Sequence, residues 1–310
     1  MKKIADKVID RRKLFFERLE KLYGMQIYPK SKQSVRINTL KDTDSTLNSL
    51  KNSSLIDQQY NWFSSGYCAS VDKRKLVDSD LNAEGKIYIQ NAASWLPPLI
   101  LRANQGDKIL DLCAAPGGKT SMIAAITENN ARILCVDNSM PRLAKLRNNL
   151  SRLGVTNYDI ICSDISKLPS KIHGQKFDKI LLDAPCSGEG MLDPYDDKAM
   201  FTWNMAKIKR LQVLQKNAIC TAWDLLEIGG TLVYSTCTMA PEENEAVVSF
   251  LLKRNENAAC ESVTIPLPER LPGMTNWNNQ IYHESVVNCI RIKPSENLES
   301  FFVAKIVKIA

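Results

Sequence analysis

Two cysteines, Cys186 and Cys237, stand 51 positions apart, and each ends an apolar, strand-like run among turn-forming residues. The first lies in Asp183-Ala184-Pro185-Cys186-Ser187-Gly188. The second lies in Tyr234-Ser235-Thr236-Cys237-Thr238, followed by Pro241-Glu242-Glu243-Asn244-Glu245. A thiolate is a strong nucleophile, and a second thiol or a carboxylate beside it can move the proton that an addition reaction requires. Ahead of both runs stands a small-residue loop, Leu110-Asp111-Leu112-Cys113-Ala114-Ala115-Pro116-Gly117-Gly118-Lys119-Thr120. A parallel sheet collects such loops and strand ends along one edge, where a cofactor can meet a thiolate. A single cysteine beside a strand is ordinarily a small packing residue. The pairing at two strand ends, with Pro185 and Thr236 before them, singles these two out.

The elements that must position them alternate. Strands are expected at 108–113, 132–137, 159–162, 178–183 and 231–235, with helices starting at 118, about 141, about 203 and after Pro241. This pattern implies a doubly wound, mostly parallel α/β sheet with right-handed crossovers. Two tail segments, 286–293 and 301–308, read as strands of an antiparallel, hairpin-like edge. The leading part differs: helical spacing over 5–23, an alternating strand at 34–40, a short helix near 46–51 and a mixed aromatic stretch at 61–71. Residues 1–84 are therefore expected to form a small α+β domain and residues 85–310 the larger one.

The loop at 113–119 selects among cofactors. A Walker A loop needs glycine where Cys113 stands, and the dinucleotide pattern G-x-G-x-x-G is absent, so a pyrophosphate ligand is disfavoured. Glycines and the following helix start still let backbone approach a ligand closely. Asp137 closes the second parallel strand, where an acid can accept both ribose hydroxyls. Asp164 lies just past the third, within reach of an adenine amine. Each is equally at home as a turn former or helix cap. With the loop they favour S-adenosylmethionine, whose cationic sulfur also suits a site carrying Asp111 and Asp183. Methyl transfer to carbon-5 of a pyrimidine needs more than a donor, because that carbon is a poor nucleophile. Addition of a thiolate to carbon-6 activates it, Asp183 can hydrogen-bond the ring edge of cytosine, and a base must later remove the carbon-5 proton. Spacing alone does not decide which cysteine attacks. An amine methyltransferase would show Asn/Asp-Pro-Pro-aromatic where Asp183-Ala184-Pro185-Cys186 stands.

Composition sets the surroundings. The nine cysteines are scattered, none spaced Cys-x-x-Cys, and the chain has only two histidines. This argues against a disulfide framework or a metal site; Cys135 and Cys162, inside apolar runs, read as packing residues. No apolar run is long enough to span a bilayer and the start lacks a signal-peptide core, so the expected address is the cytoplasm. Residues 1–60 hold 13 Lys+Arg against 7 Asp+Glu, a net +6 of the chain's +7. A basic leading segment suits a nucleic acid.

These motifs resemble the RNA cytosine-C5 methyltransferases of the Sun/Fmu type. The resemblance runs from about Ser34 to Lys308 and includes Tyr88-Ile89-Gln90-Asn91-Ala92-Ala93-Ser94 and Arg291-Ile292-Lys293-Pro294 with Phe301-Phe302. It implies a class I, Rossmann-like methyltransferase domain behind an RNA-binding N-terminal module, acting on rRNA or tRNA, without metal and as a monomer. It makes Cys237 the nucleophile and Cys186 the cysteine that assists product release. Cys113, Ala114, Ala115, Pro116, Gly117, Gly118, Lys119, Asp137, Asp164 and Asp183 match positions that hold S-adenosylmethionine or the target base. DNA cytosine methyltransferases use a Pro-Cys nucleophile, which would favour Cys186, but their Glu-Asn-Val signature is not seen. The alternatives are an amine or ribose methyltransferase on the same fold, and a non-catalytic RNA-binding assembly factor.

Overall fold

The computed structural model describes residues 2–310. Near the N-terminus, β1 (Ser34–Ile37), β2 (Ile56–Tyr60), β3 (Phe63–Ala69) and β4 (Ile87–Ile89) form an antiparallel sheet in the order β2-β3-β1-β4. The helix Thr43–Asn52, capped by the Asp42 carboxylate, places Leu50 in a core with Val35, Ile37, Leu76 and Ile87. Because β4 belongs to this sheet, the unit extends past the boundary expected at residue 84.

The leading helix Lys2–Tyr23 packs elsewhere. Its apolar stripe of Val8, Phe15, Leu19 and Tyr23 joins Met200, Trp203, Ile208 and Met239 from the larger unit. An amphipathic helix goes where its stripe finds an apolar partner, and residues 1–84 are therefore not one packed body. Part of the basic charge expected for nucleic acid is also committed internally. Arg18 donates to both oxygens of Glu242 at 2.9 and 3.0 Å, and Arg12 pairs with Asp197.

The larger unit is built on a nine-stranded sheet. Its parallel part comprises β5 (Lys108–Leu112), β6 (Arg132–Asp137), β7 (Tyr158–Cys162), β8 (Phe177–Asp183) and β9 (Leu226–Thr236), in the order β7-β6-β5-β8-β9. The helices Gly118–Ile126, Met140–Leu153 and Met205–Asp224 cross between them. The remaining members are β10 (Ala258–Glu261), β11 (Arg270–Pro272), β14 (Ile290–Ile292) and β15 (Phe301–Lys308), while β12 (Asn276–Trp277) and β13 (Gln280–Ile281) make a separate hairpin. The tail strands do pair antiparallel, but β15 is interior rather than an edge. It lies between β9 on one side and β14 and β10 on the other, which suits the burial of Phe301, Phe302, Val303 and Ala304. No described helix is long and apolar enough to cross a membrane.

Strand order reverses between β5 and β8, and the carboxyl ends of adjacent strands there form the crevice where open α/β sheets take ligands. The 113–119 loop leaves β5, Asp183 ends β8, and β9 delivers Thr236 and Cys237 alongside. Register aligns Asp183 with Ser235, so the residues two and three positions further on meet beyond the sheet.

Candidate active site

Cys186 Sγ and Cys237 Sγ lie 3.2 Å apart, both half-buried. The contact is made by two loops that a polar network clamps together. Ser187 Oγ and Thr238 Oγ1 are 2.8 Å apart, and Thr238 Oγ1 donates to Glu189 Oε2 at 2.8 Å. Glu189 also accepts from Trp203 Nε1, and Gly190 N–H donates to the Cys237 carbonyl at 2.9 Å. A Cβ at Gly190 would sit 2.1 Å from the Ser300 carbonyl, so only glycine lets these backbones close.

The Glu242-Glu243-Asn244-Glu245 run is the framework behind Cys237. Asn244 accepts from Thr236 Oγ1 and donates to the Thr238 carbonyl, holding the residues on either side of Cys237. Glu243 accepts from Ser187 N–H at 3.0 Å and from Gln215 Nε2 at 2.8 Å, which ties it to the Cys186 loop. Glu242 pairs with Arg18, and Glu245 pairs with Arg291 at 2.7 Å in full burial. Burial pushes Glu243 up to about 7, although the bonds from Ser187 and Gln215 oppose the rise. The Cys186 thiol is pushed well above its ordinary value, first by its hydrogen bond with Cys237 and then by burial.

At the loop end, Lys119 Nζ stands 2.6 Å from Asp183 Oδ2, and Ser235 Oγ donates to Asp183 Oδ1 at 2.8 Å. Burial alone would lower Lys119, but the charge and hydrogen bond of Asp183, helped by Cys237, hold it above the usual lysine range. Asp111, under the loop, accepts from Thr120 Oγ1 at 2.6 Å and is raised to about 7 by burial. Cys113 itself takes a left-handed backbone (φ 67°), a strained choice for a residue with a Cβ. At Gly117 (φ 102°) a Cβ would meet Leu146 at 2.9 Å.

Asp137 and Asp164 come together in a cavity of about 280 Å³ whose walls also include Cys113, Val136, Ile165 and Pro185. Asp137 Oδ1 accepts from Ser139 N–H and from Arg142 Nη1. Its Oδ2, 3.0 Å from that same nitrogen, has no hydrogen-bond donor among the described residues. Asp164 caps the turn Ile165–Lys167 through Ser166, whose side chain and backbone hold its carboxyl below the usual range. It is thus a cap that also lines the cavity. Ala114, Ala115, Pro116, Gly118 and Lys119 line a second, adjoining cavity with Asp111 and Asp183.

The comparison with known proteins agrees with this architecture. Residues 98–307 match the family model for 16S rRNA methyltransferase RsmB/F. The chain belongs to that family. A tRNA (cytosine(49)-C(5))-methyltransferase from Pyrococcus abyssi is 35% identical over 99% of the chain and 97% of its own length. A 26S rRNA (cytosine-C(5))-methyltransferase from Caenorhabditis elegans is 35% identical, but the chain spans only 42% of it. Among solved structures, a methyltransferase homologue from Pyrococcus horikoshii superposes with a TM-score of 0.81 at 32% identity, covering both chains fully.

Several members of this family site carry no sequence signal of their own. Arg18, Trp203 and Gln215 come from distant elements; Arg18 lies 224 positions from Glu242. Glu189 had one: a lone carboxylate between Gly188 and Gly190 in a run of turn residues.

Proposed function

We propose that this protein methylates carbon-5 of a cytosine in structured RNA, using S-adenosylmethionine and a transient bond from Cys237 to carbon-6. The observation that carries the reading is the 3.2 Å approach of two thiols beside the Lys119–Asp183 pair, at the crevice where strand order reverses. Transfer RNA is the preferred substrate, since a relative named for tRNA is spanned nearly end to end. Both thiols and the cofactor cavity come from one chain, which supports a monomer, and the thiols require a reducing compartment such as the cytoplasm.

The residues fit the proposed cofactor. The apolar walls Val136, Ile165 and Pro185 suit a nucleobase, and the Asp137 carboxylate beside them is the acceptor for a ribose hydroxyl. The cofactor, when bound, supplies an electrophilic methyl group. The chain's own residues do the rest. Lys119 places positive charge near Cys237. Asp183, anchored by Lys119 and Ser235, retains one acceptor site on each oxygen for the N–H groups of the cytosine edge. Cys186 is held protonated chiefly by Cys237. When that sulfur bonds carbon-6, both the hydrogen bond and the charge disappear, so Cys186 ionises more easily just when a base is needed at carbon-5. Loss of the carbon-5 proton then expels Cys237.

The experiment is denaturing electrophoresis of Cys186→Ala with tRNA and S-adenosylmethionine, beside bisulfite sequencing of RNA from cells with and without the gene. The variant should stop turning over and accumulate a covalent RNA complex that Cys237→Ala does not form. A trapped complex in Cys237→Ala instead would exchange the two roles. Methylation with no covalent species in either variant would favour an amine or ribose acceptor.

A further inference from the structure

A cavity of about 240 Å³ lies between the segment 28–33 and the loop 190–195. Gly190 joins it to the thiols. Its N–H donates to the Cys237 carbonyl at 2.9 Å, and its own carbonyl accepts from Tyr28 Oη at 2.9 Å. One residue therefore separates the cavity from the backbone of Cys237. The wall beyond Gly190 is apolar and uncovered: Met191 is 64% exposed and Tyr195 57%. Tyr195 is nonetheless held in place. Its ring lies 5.8 Å from that of Phe16, and its hydroxyl accepts from the Tyr28 N–H at 3.3 Å. A fixed aromatic ring open to solvent is a stacking surface for a nucleobase.

The opposite need is polar. Glu299 lines the same cavity half-buried, accepts a long bond from the Ser31 hydroxyl at 3.4 Å, and forms no ion pair among the described residues. Burial pushes it up to about 7, against bonds from Ser31 and Asn91 and the charge of Lys73. A carboxylate so placed is stabilised by any ligand that brings it N–H donors. Lys30 and Ser31 continue into the next groove, where Lys32 and Lys73 stand with Lys30 against Asp57 and Asp72. A phosphate backbone leaving the cavity would meet these lysines. Of the four RNA bases only guanine presents two adjacent N–H donors, at N1 and N2, on its pairing edge, and one carboxylate can accept both. We infer that this cavity holds a guanine next to the methylated cytosine, stacked on Tyr195 and read by Glu299. This rests on the reading of RNA as the substrate.

The test starts from RNA of cells lacking the gene, treated with the full chain and S-adenosylmethionine and then bisulfite sequenced. The methylated cytosines should share a guanine at one flanking position. In a synthetic copy of the best target, inosine in its place keeps N1–H and lacks the N2 amine, and should lower kcat/KM about tenfold. Glu299→Gln should act on the inosine RNA as the unaltered protein does, which also shows that it is folded, and should bring the two RNAs within about twofold of each other. Tyr195→Ala should raise KM for both RNAs several-fold while keeping kcat and their ratio. Target cytosines with no shared guanine, or an inosine effect of the same size in Glu299→Gln, overturn the inference. So does unaltered kinetics on both RNAs in Tyr195→Ala, which would give the cavity to another occupant. If no cellular RNA is methylated at all, the RNA reading itself falls, and this inference with it.

Discussion

Two close pairs of thiols occur in this molecule, and they differ in everything except distance. Cys186 and Cys237 are 3.2 Å apart and half-buried; Cys260 and Cys289 are 3.7 Å apart and enclosed beneath the strands flanking β15. Both Cys186 and Cys289 are pushed well above the ordinary thiol range, but for different reasons. At Cys289 burial leads and the partner sulfur follows; at Cys186 the partner sulfur leads. A rise caused by burial is permanent, whereas one caused by a neighbouring sulfur lasts only while that sulfur stays free. The first pair also opens toward Lys119 and Asp183, and the second faces the closed Glu245–Arg291 pair. Proximity of two sulfurs therefore does not by itself mark a reactive site; on the proposed reading, access and a removable perturbation do.

The sharpest way to break this contrast is to delete one sulfur from each pair. Cys237→Ala should lower turnover of RNA by roughly 10³-fold or more, because the activation of carbon-5 is lost outright. Cys289→Ala should leave turnover unchanged and cost about 1–2 kcal/mol of stability through lost packing, read by denaturant unfolding. A turnover loss in Cys289→Ala comparable with that of Cys237→Ala would end the distinction. A smaller effect is expected behind the reactive pair. Glu243→Gln keeps the shape of the acceptor but weakens its hold on Ser187, and kcat should fall about tenfold with KM for RNA little changed.

The smallest effect concerns pH. Asp111 and Glu243 are raised to about 7 in the folded chain, from 3.8 and 4.5. A carboxyl raised on folding adds stability below its unfolded value and loses it as pH climbs through the folded one. The melting temperature of the ligand-free protein should therefore carry a component that declines between pH 5 and pH 8. Glu243→Gln should shrink the difference between those two pH values; an unchanged difference would show that Glu243 does not titrate there.

Much of this site was legible because it lies on elements with strong local signals. Strand 132–137 was read to the residue, and the runs ending at Asp183 and Thr236 within a few positions, because buried parallel strands are continuous apolar runs bounded by turns. Asp137, Asp164 and the 113–119 loop follow from their places at strand ends. The N-terminal grouping was not legible. The stripe of Lys2–Tyr23 says that the helix must cover something apolar, but not whether that is the nearby sheet or Met200 and Trp203 far along the chain. Likewise the sequence places Glu242, Glu243 and Glu245 shortly after Cys237 but does not say what they meet, whereas the structure buries them against Arg18, Ser187, Gln215 and Arg291.

The amino-acid sequence by itself determined the parallel core, the small-residue loop after its first strand and the presence of two cysteines at later strand ends, since periodicity and turn chemistry are local properties. Only the tertiary structure decided that those two sulfurs touch, that a network of buried carboxylates holds them, and that Tyr195 and Glu299 line one cavity beside Gly190. Those facts depend on which strands become neighbours and on how far burial shifts a charge, and neither is encoded within any single segment.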